Sequence, residues 1–534
     1  EKTLAFVPRA GDQKVQNLTV LGAANGDFKH FADLTLSEQA SEAYWLTQGA
    51  PTDQQWLDFQ YDVKVSDIEL AHRENFTSIE HVKRYTTNGM SVDQGKTSNV
   101  NTLAVMSELS GRAIPEVGTT KFRPPYHPVT LGTVAGERRG EAYAPRQLMP
   151  AHRWHLEHGG VMQDYGWMRP DCYRQAGESE QGAIAREVAA VRRGVGLFDA
   201  SPLGKIEVKG PDAARFLQRI YANNAKSLKP GFARYGLMCD ENGIVIDDGV
   251  FVRLAEDHFL CHSTSGGAAR IYQWLEEWLQ CEWPGLQVVV SNQTSQWATV
   301  TVSGPKARAL MQGLNSNIDV DREAFPHMQF RTGEIEGVPA RVLRASFTGE
   351  LSYEISVPAR YGLSLWTRIY DLGQPLGITP YGIESLMVLR TEKGYLHMGV
   401  DTDGTTTPLD LGWGVPLSKK TDDFIGARSM QRPHDQRSDR LHFVGLQAVE
   451  AEQALPLGGH IIAAPHPKPP VESQGYCTSA CYSPTLKRWI GLGLVNRGRE
   501  RMGEAVFIFA NGQTVKANIV SPTHFDPKGE QLNG

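Results

Sequence analysis

Two adjacent acids, Asp247 and Asp248, interrupt an apolar run that begins behind Asn242-Gly243 and resumes at Val250-Phe251-Val252. Asn-Gly is a strong hairpin signal, so the run reads as the return strand of a hairpin. Neighbouring side chains on an extended chain point to opposite faces; one acid must face inward while the other can reach solvent. A carboxylate directed into a site is costly to desolvate unless a cation or donor meets it, which makes it a candidate acid/base or amine-orienting group. Surface turns also carry acid pairs, and composition alone leaves both readings open. A third carboxylate, Glu354, follows the turn Thr348-Gly349 and lies between Tyr353 and the apolar Ile355 and Val357. It suits a bidentate grip on a flat ring with two adjacent N–H donors, as in an aminopyrimidine, or it lies on a solvated strand face.

Other chemistry-bearing residues are weaker candidates. His152, His155 and His158 form an HxxHxxH run, but no carboxylate or cysteine follows at metal spacing and Gly159-Gly160 ends the helix. A structural role is expected there, with no metal. The six cysteines are scattered, and the nearest pair, Cys477 and Cys481, misses the CxxC spacing, so reduced thiols are expected. Leu18 to Leu21 feed the small residues Gly22 to Gly26. A phosphate-binding βα junction needs such a turn, yet this is not GxGxxG, and an ordinary turn is the preferred reading.

The elements that must hold these groups follow from periodicity. From Val65 to Tyr85 two short helices are predicted, Ser66 capping the first with Glu69 and Ser78 opening the second, with Ile68, Ala71, Ile79, Val82 and Tyr85 as apolar positions. A polar loop, Met90 to Asn99, leads to Leu103-Ala104-Val105-Met106, and the proline-rich segment from Phe122 to Pro128 breaks regular structure. The main boundary is placed between there and about Leu148. Beyond it strands (205–208, 298–302) alternate with helices (213–220, 270–279), and from about His442 a series of short strands has the look of a terminal β-barrel. The class is α+β. At roughly 100–200 residues per domain, 534 residues imply about three domains. A net charge of −6 without a basic block argues against nucleic acid, and no apolar run is long enough for a membrane span. A cytoplasmic protein is expected.

From about Met149 onward the chain resembles the folate-binding aminomethyltransferase family, which includes the T-protein of the glycine cleavage system. The resemblance is carried by Met149 to Gly160, Gly166-Trp167-Met168-Arg169-Pro170, Gly194 to Ser201, Gly243 to Asp248, Thr348 to Ile355, Thr406-Thr407-Pro408, Asp423 to Gly426, and Thr478 to Leu486 with Ile490 to Gly493. Earlier, Lys83 to Met90, Asp93 to Asn101, Gly118 to Thr120 and Phe122 to Tyr126 look like the middle of α subunits of heterotetrameric sarcosine oxidases. The resemblance implies a partial dinucleotide-binding remnant at 1–50 and a two-helix module at 51–110. A linker and return segment at 111–147 then precedes an aminomethyltransferase domain at 148–440 and its β-barrel at 441–534. The two-helix module is similar to one that holds an iron–sulfur cluster through four cysteines; Asp58, Gln60, Asp93 and Thr97 stand at about those positions, so no cluster is expected. Residue 1 is Glu and no GxGxxG is present, which fits the C-terminal part of a longer or split α chain.

By the same resemblance, a partner flavin subunit oxidises an N-methyl amine and the imine carbon passes to tetrahydrofolate, giving 5,10-methylenetetrahydrofolate. Asp248 matches the family's catalytic aspartate, Glu354 its pterin-gripping glutamate, and Tyr235 and Thr264 line the folate pocket. The family has an arginine for the folate tail near Leu386-Met387, where this segment is apolar. Lys96-Thr97-Ser98-Asn99 is a candidate contact to a dinucleotide or flavin edge, or a structural loop. FAD, FMN and NAD are expected in the wider complex, on other chains or on the missing N-terminal part. Expected partners are a flavin-containing β-like subunit, small γ/δ-like subunits and the N-terminal part of the α chain. The alternatives are a stand-alone folate-dependent aminomethyltransferase or demethylase, and a non-catalytic scaffold.

Overall fold

The structure, a computed structural model, describes residues 45–534 except 125 and 467, together with the backbone of 9–10 and 13–14. The strand and glycine turn expected at 18–26 lie outside the described residues. The chain divides into two units, Glu1–Ala144 and Pro145–Gly534.

In the first unit, helices Val65–Arg73, Ile79–Thr86 and Asn99–Ser110 pack on Ile68, Ala71, Ile79, Val82, Val105 and Met106. The first helix starts two residues earlier than a Ser66 cap predicts. Lys64 is its N-cap, and Asp67 Oδ2 accepts the Lys64 backbone N–H at 2.8 Å. A carboxylate three residues inside the helix reaches that orphan donor, whereas Ser66 is already helical. Ser78 does occupy the second N-cap but makes no capping bond, and Tyr85 is exposed, stacked on Phe76 at 4.4 Å. The run expected as loop then apolar segment is helical from Asn99, and the linker carries helical turns at Ile114–Val117 and Leu131–Ala135. Asp58 accepts N–H bonds from Gln60, Tyr61 and Gly89 at 2.9, 3.2 and 2.8 Å. Asp93 accepts the Gly95 N–H at 3.1 Å and the Thr97 hydroxyl at 2.6 Å. Charge-assisted hydrogen bonds thus close these two loops.

The second unit has two packed sheets and a barrel. The first sheet runs, in spatial order, Ala233–Cys239, Val245–Ala255, His258–Ser263, Gly204–Lys209, Val289–Asn292, all antiparallel. Alternation sorts its side chains. Ile206, Val208, Phe251, Phe259 and Cys261 pack against helices Ala213–Ile220 and Ala268–Glu277, while Ala233, Val252 and Leu260 meet Phe330 and Leu343 of the second sheet. The second sheet runs Phe330–Ile335, Val338–Leu343, Ser352–Pro358, Trp297–Ser303, Gly196–Asp199, Thr379–Pro380. Its Val300, Val302, Tyr353, Ile355 and Val357 bury against Trp366 and Ile369 of helix Gly362–Gly373. The intervening residues Thr299, Thr301, Ser303, Ser352, Glu354 and Ser356 therefore share the opposite face, the one that looks toward the first sheet. An ion pair of 2.8 Å between Arg341 and Glu207 spans the gap between the two sheets.

The last six strands form a closed barrel, Leu441–Ala448, Arg488–Asn496, Gly475–Ser483, His460–Ile462, Ala505–Ala510, Gln513–Val520. Val444, Leu446, Ile461, Ile508 and Ile519 fill it, and closure removes the free edges that a short-stranded sheet would expose. Unit two is thus the mixed α+β fold ending in a barrel that the sequence predicts. Among the described residues no helix is long and apolar enough to cross a membrane, and all six cysteines are free thiols.

Candidate active site

The hairpin turn at Asn242-Gly243 sets the register of the acids. Gly243 has a φ of 82°, which a side chain would resist, and Leu237 then pairs with Asp248 and Met238 with Asp247. Asp247 is fully buried on the helix-facing side. Its Oδ1 accepts the N–H of Asp248 at 2.8 Å and of Thr264 at 3.2 Å, and its Oδ2 the Thr264 hydroxyl at 3.1 Å. Gly267 makes room for this contact, since a Cβ there would lie 2.1 Å from Asp247 Oδ2. Asp248 is half-buried on the other face and has, among the described residues, one side-chain donor, the Tyr235 hydroxyl at 2.6 Å. Burial pushes the Asp248 carboxyl up to about 7; the Tyr235 bond opposes the rise and the charge of Asp247 adds to it. Trp413 sits edge-on to Tyr235 at 5.6 Å, giving the carboxylate an aromatic surround.

Glu354 pairs with Thr301 in the second sheet and is half-buried. Among the described residues it receives no hydrogen bond, so both its oxygens are open acceptors on the inner face. Burial raises its carboxyl to about 7, opposed by the nearby ammonium of Lys205. Lys205 stands opposite His262 in the first sheet and is 2% exposed, donating to the carbonyls of Ser201 and Leu203 at 2.9 Å each. Burial brings its ammonium down to about 8, with Asp199 and Glu354 pulling the other way. The inner faces of the two sheets thus hold an acid on each side and a cation beside Glu354. This arrangement can accept N–H bonds from a flat heterocycle and hold or move a proton.

The candidate residues fall into three groups. Asp248, Tyr235 and Glu354 are brought to the inner faces. Thr264 belongs to the same unit, but its hydroxyl is committed to Asp247, with the Gly267 N–H donating to it at 3.1 Å. Lys96 to Asn99 lie in the first unit. The Lys96 ammonium sits 3.8 Å over the Tyr126 ring, Thr97 binds Asp93, and Ser98 Oγ and Asn99 Oδ1 are buried with no hydrogen-bond partner among the described residues. His155 bridges Tyr173 and Asp199 at 2.8 and 3.1 Å, and His158 stacks on Trp154 at 3.8 Å, so both serve packing. Leu386 and Met387 lie on helix Ile383–Lys393, whose cations are spent in ion pairs: Arg390 with Asp401, Lys393 with Asp526. Sequence reasoning missed Lys205. The signal available was a cation next to apolar positions in a strand buried on both faces.

Residues 151–421, just over half of the chain, match the GCVT N-terminal domain. Residues 442–526 match the glycine cleavage T-protein C-terminal barrel domain and 52–138 the sarcosine oxidase A3 domain. The chain is 44% identical over 501 residues to sarcosine oxidase subunit alpha of Corynebacterium sp. (strain P-1), which covers 92% of this chain and 52% of that protein. It therefore spans about half the length of the curated relatives it matches. An aminomethyltransferase of Desulfitobacterium hafniense (strain DSM 10664 / DCB-2) is 28% identical over 383 residues, covering 71% of this chain and 98% of that one. The crystal structure of glycine cleavage system aminomethyltransferase T from Bartonella henselae shares the fold, with a TM-score of 0.62 at 23% identity over 71% of this chain and 98% of that one. The chain belongs to the glycine cleavage T-protein family, and it is a homologue of sarcosine oxidase alpha subunits that carries their A3 domain ahead of the T-protein fold.

Proposed function

We propose that the chain is the folate-dependent one-carbon-transfer part of a sarcosine-oxidase-like complex, with tetrahydrofolate held between the two sheets of its second unit. The carrying observation is the pair of half-buried carboxylates on the facing inner surfaces, which among the described residues have a single side-chain donor (Asp248) and none (Glu354). Glu354 accepts the adjacent N–H donors of the pterin ring, and the Lys205 ammonium beside it opposes the rise that burial imposes on its carboxyl. Asp248 lies beside the reacting nitrogens, held in place by Tyr235. The incoming carbon arrives as an iminium, CH2=NHR+. A folate nitrogen attacks that carbon and loses its proton, the amine departs as RNH2, and the second folate nitrogen closes the ring with loss of its own proton. One proton is taken up by the departing amine and one is released overall, so a carboxylate that titrates near neutral pH suits the relay. The low-dielectric gap also strengthens the attraction between the carboxylate and the iminium.

Oxidation of the N-methyl amine is assigned to a flavin-containing partner subunit, with FAD, FMN and NAD on other chains or on sequence outside this one. Support comes from the likeness to sarcosine oxidase subunit alpha, of which this chain spans about half. Lys96 to Asn99 is the first unit's candidate contact to a dinucleotide or flavin, supported by Ser98 Oγ and Asn99 Oδ1, which are buried and have no partner among the described residues. Asp248→Asn tests the transfer reading: amine oxidation and fold should persist while methylenetetrahydrofolate formation drops at least a hundredfold. Unchanged product partitioning would remove Asp248 from the mechanism. Absence of any tetrahydrofolate affinity would instead favour a scaffold.

A further inference from the structure

His262 belongs to the inner face of the first sheet and has no part in the transfer chemistry described above. On its strand, His258–Ser263, Phe259 and Cys261 pack toward the helices and Leu260 toward the second sheet, so alternation turns His262 toward the second sheet as well. Lys205 pairs with it on one side, and the register that sets Phe251 opposite Cys261 brings Val250 to the other. Tyr235 pairs with Val250 in turn. Tyr235, Val250, His262 and Lys205 thus form one row across four strands. Asp248, two residues before Val250 on the same face, is the diagonal neighbour of His262, roughly 7–8 Å away between adjacent strands.

The ring is half-buried and its tautomer is fixed. Nδ1 lies 2.9 Å from the carbonyl oxygen of Val250, which can only accept, so Nδ1 carries the proton and Nε2 keeps its lone pair. Among the described residues that is the one hydrogen bond of the ring. Burial pushes the imidazole down to about 4, and the Lys205 ammonium and Arg341 guanidinium add to the drop, so the ring is neutral and Nε2 is an acceptor. His155, by contrast, spends both ring nitrogens, on Tyr173 and Asp199. A half-buried acceptor left unmatched is costly, and a ligand N–H removes that cost.

We infer that His262 reads the reduced state of the folate ring, its Nε2 accepting N8–H, a donor that tetrahydrofolate has and folic acid lacks. The inference rests on the folate reading given above and deepens it. Glu354, beside the Lys205 ammonium, takes the N–H pair of the pyrimidine edge. N5 and N10 are the reacting nitrogens and fall to Asp248. N8–H is the remaining donor of the reduced ring, and His262 stands between Lys205 and Asp248. In folic acid N8 is a bare acceptor, and two lone pairs would face each other with neither satisfied.

The test is anaerobic equilibrium binding to the full chain of tetrahydrofolate, folic acid and 8-deazatetrahydrofolate, in which a CH2 replaces N8–H and the ring stays reduced. The wild-type chain should prefer tetrahydrofolate over the 8-deaza analogue about tenfold and over folic acid about a hundredfold. His262→Phe, which keeps a ring and loses the acceptor, should weaken tetrahydrofolate about tenfold and leave the 8-deaza analogue within about twofold of wild type, so that the preference disappears. His262→Gln, whose side-chain oxygen can take the place of Nε2, should keep the preference. A tenfold preference that survives in His262→Phe overturns the inference. So does an equal loss for both reduced ligands, which is what a merely structural histidine gives. If His262→Phe does not fold, the wild-type chain decides, because equal affinity for tetrahydrofolate and the 8-deaza analogue overturns the inference by itself. Glu354→Gln is run alongside. If it weakens both reduced ligands while His262→Phe leaves the preference in place, His262 alone is wrong; if it changes neither, the folate reading itself fails.

Discussion

One step along a strand separates Asp247 from Asp248, and the two carboxylates meet opposite surroundings. Asp247 is buried among three donors, and its role is to tie the loop at Thr264 to the hairpin. Asp248 has Tyr235 as its one side-chain donor among the described residues and lies on the strand face turned toward the second sheet. Burial raises both carboxyls, that of Asp248 to about 7, so the proton leaves Asp248 within the physiological range. Transfer needs the ionised form, and the rate of methylenetetrahydrofolate formation should fall as pH drops below about 7. Tyr235→Phe removes a bond made to the charged form and so raises the Asp248 pKa further. A hydrogen bond to a charged group contributes about 1.5–3 kcal/mol and one pH unit corresponds to about 1.4 kcal/mol, so the acidic limb should move up by about one to two units. A single-turnover pH profile measures this, and a limb that stays in place would mean that another group sets it. The sequence made this pair legible because strand alternation is local. Alternation alone leaves open which acid faces which way, a choice the family resemblance makes in favour of Asp248, and it does not show that Thr264 serves Asp247, because that depends on where the loop after strand His258–Ser263 returns.

Among elements, a buried joint is made by Arg192 on helix Glu180–Arg193. It pairs with Glu350 at 2.8 Å and Glu392 at 2.6 Å and lies over the Phe525 ring, while Glu392 also accepts the hydroxyl of Ser483 from the barrel. One guanidinium therefore ties two helices, the turn before strand Ser352–Pro358 and the barrel. Arg192→Leu would leave two carboxylates, 2% and 0% exposed, without their counter-charge. Removing one partner of a buried pair costs about 3–5 kcal/mol, so denaturant unfolding should show a loss of that size. The surface pair Arg437 and Asp439, at 2.7 Å, should be silent in the same assay. Helix Ala213–Ile220 and strand Gly204–Lys209 could be placed from periodicity because each has one apolar face to hide. The strand order across the two sheets could not, since partners such as Thr301 and Glu354 are far apart in sequence and their pairing is set by packing. The N-cap at Lys64 was missed for a smaller reason: two overlapping capping patterns compete there, and the nearer carboxylate wins.

At the scale of the whole molecule, Asp248, Tyr235, Glu354, Lys205 and His262 all belong to the unit Pro145–Gly534, while Glu1–Ala144 holds the helical module with its Asp58 and Asp93 bonds. The likeness to T-proteins, which runs the length of those relatives, made the second unit readable from sequence; no comparable run of motifs defines what the first unit binds. Ligand linkage separates the two. A molecule that binds the folded state stabilises it by about 2.7 kcal/mol at a hundredfold excess over Kd, and it does so only for the cooperative unit it contacts. Tetrahydrofolate should therefore slow amide exchange in the strands Gly204–Lys209, Ala233–Cys239, Val245–Ala255 and Ser352–Pro358, and in the barrel that Arg192 couples to them. Exchange in helices Val65–Arg73, Ile79–Thr86 and Asn99–Ser110 should not change. Hydrogen–deuterium exchange with mass spectrometry on the full chain reads both regions in one experiment. Equal protection in the three helices would show that the two units open as a single body, and protection in neither would take tetrahydrofolate away as the ligand. Protection confined to the sheets and barrel, and lost in Glu354→Gln, would place the folate on the inner faces where the two open carboxylates stand.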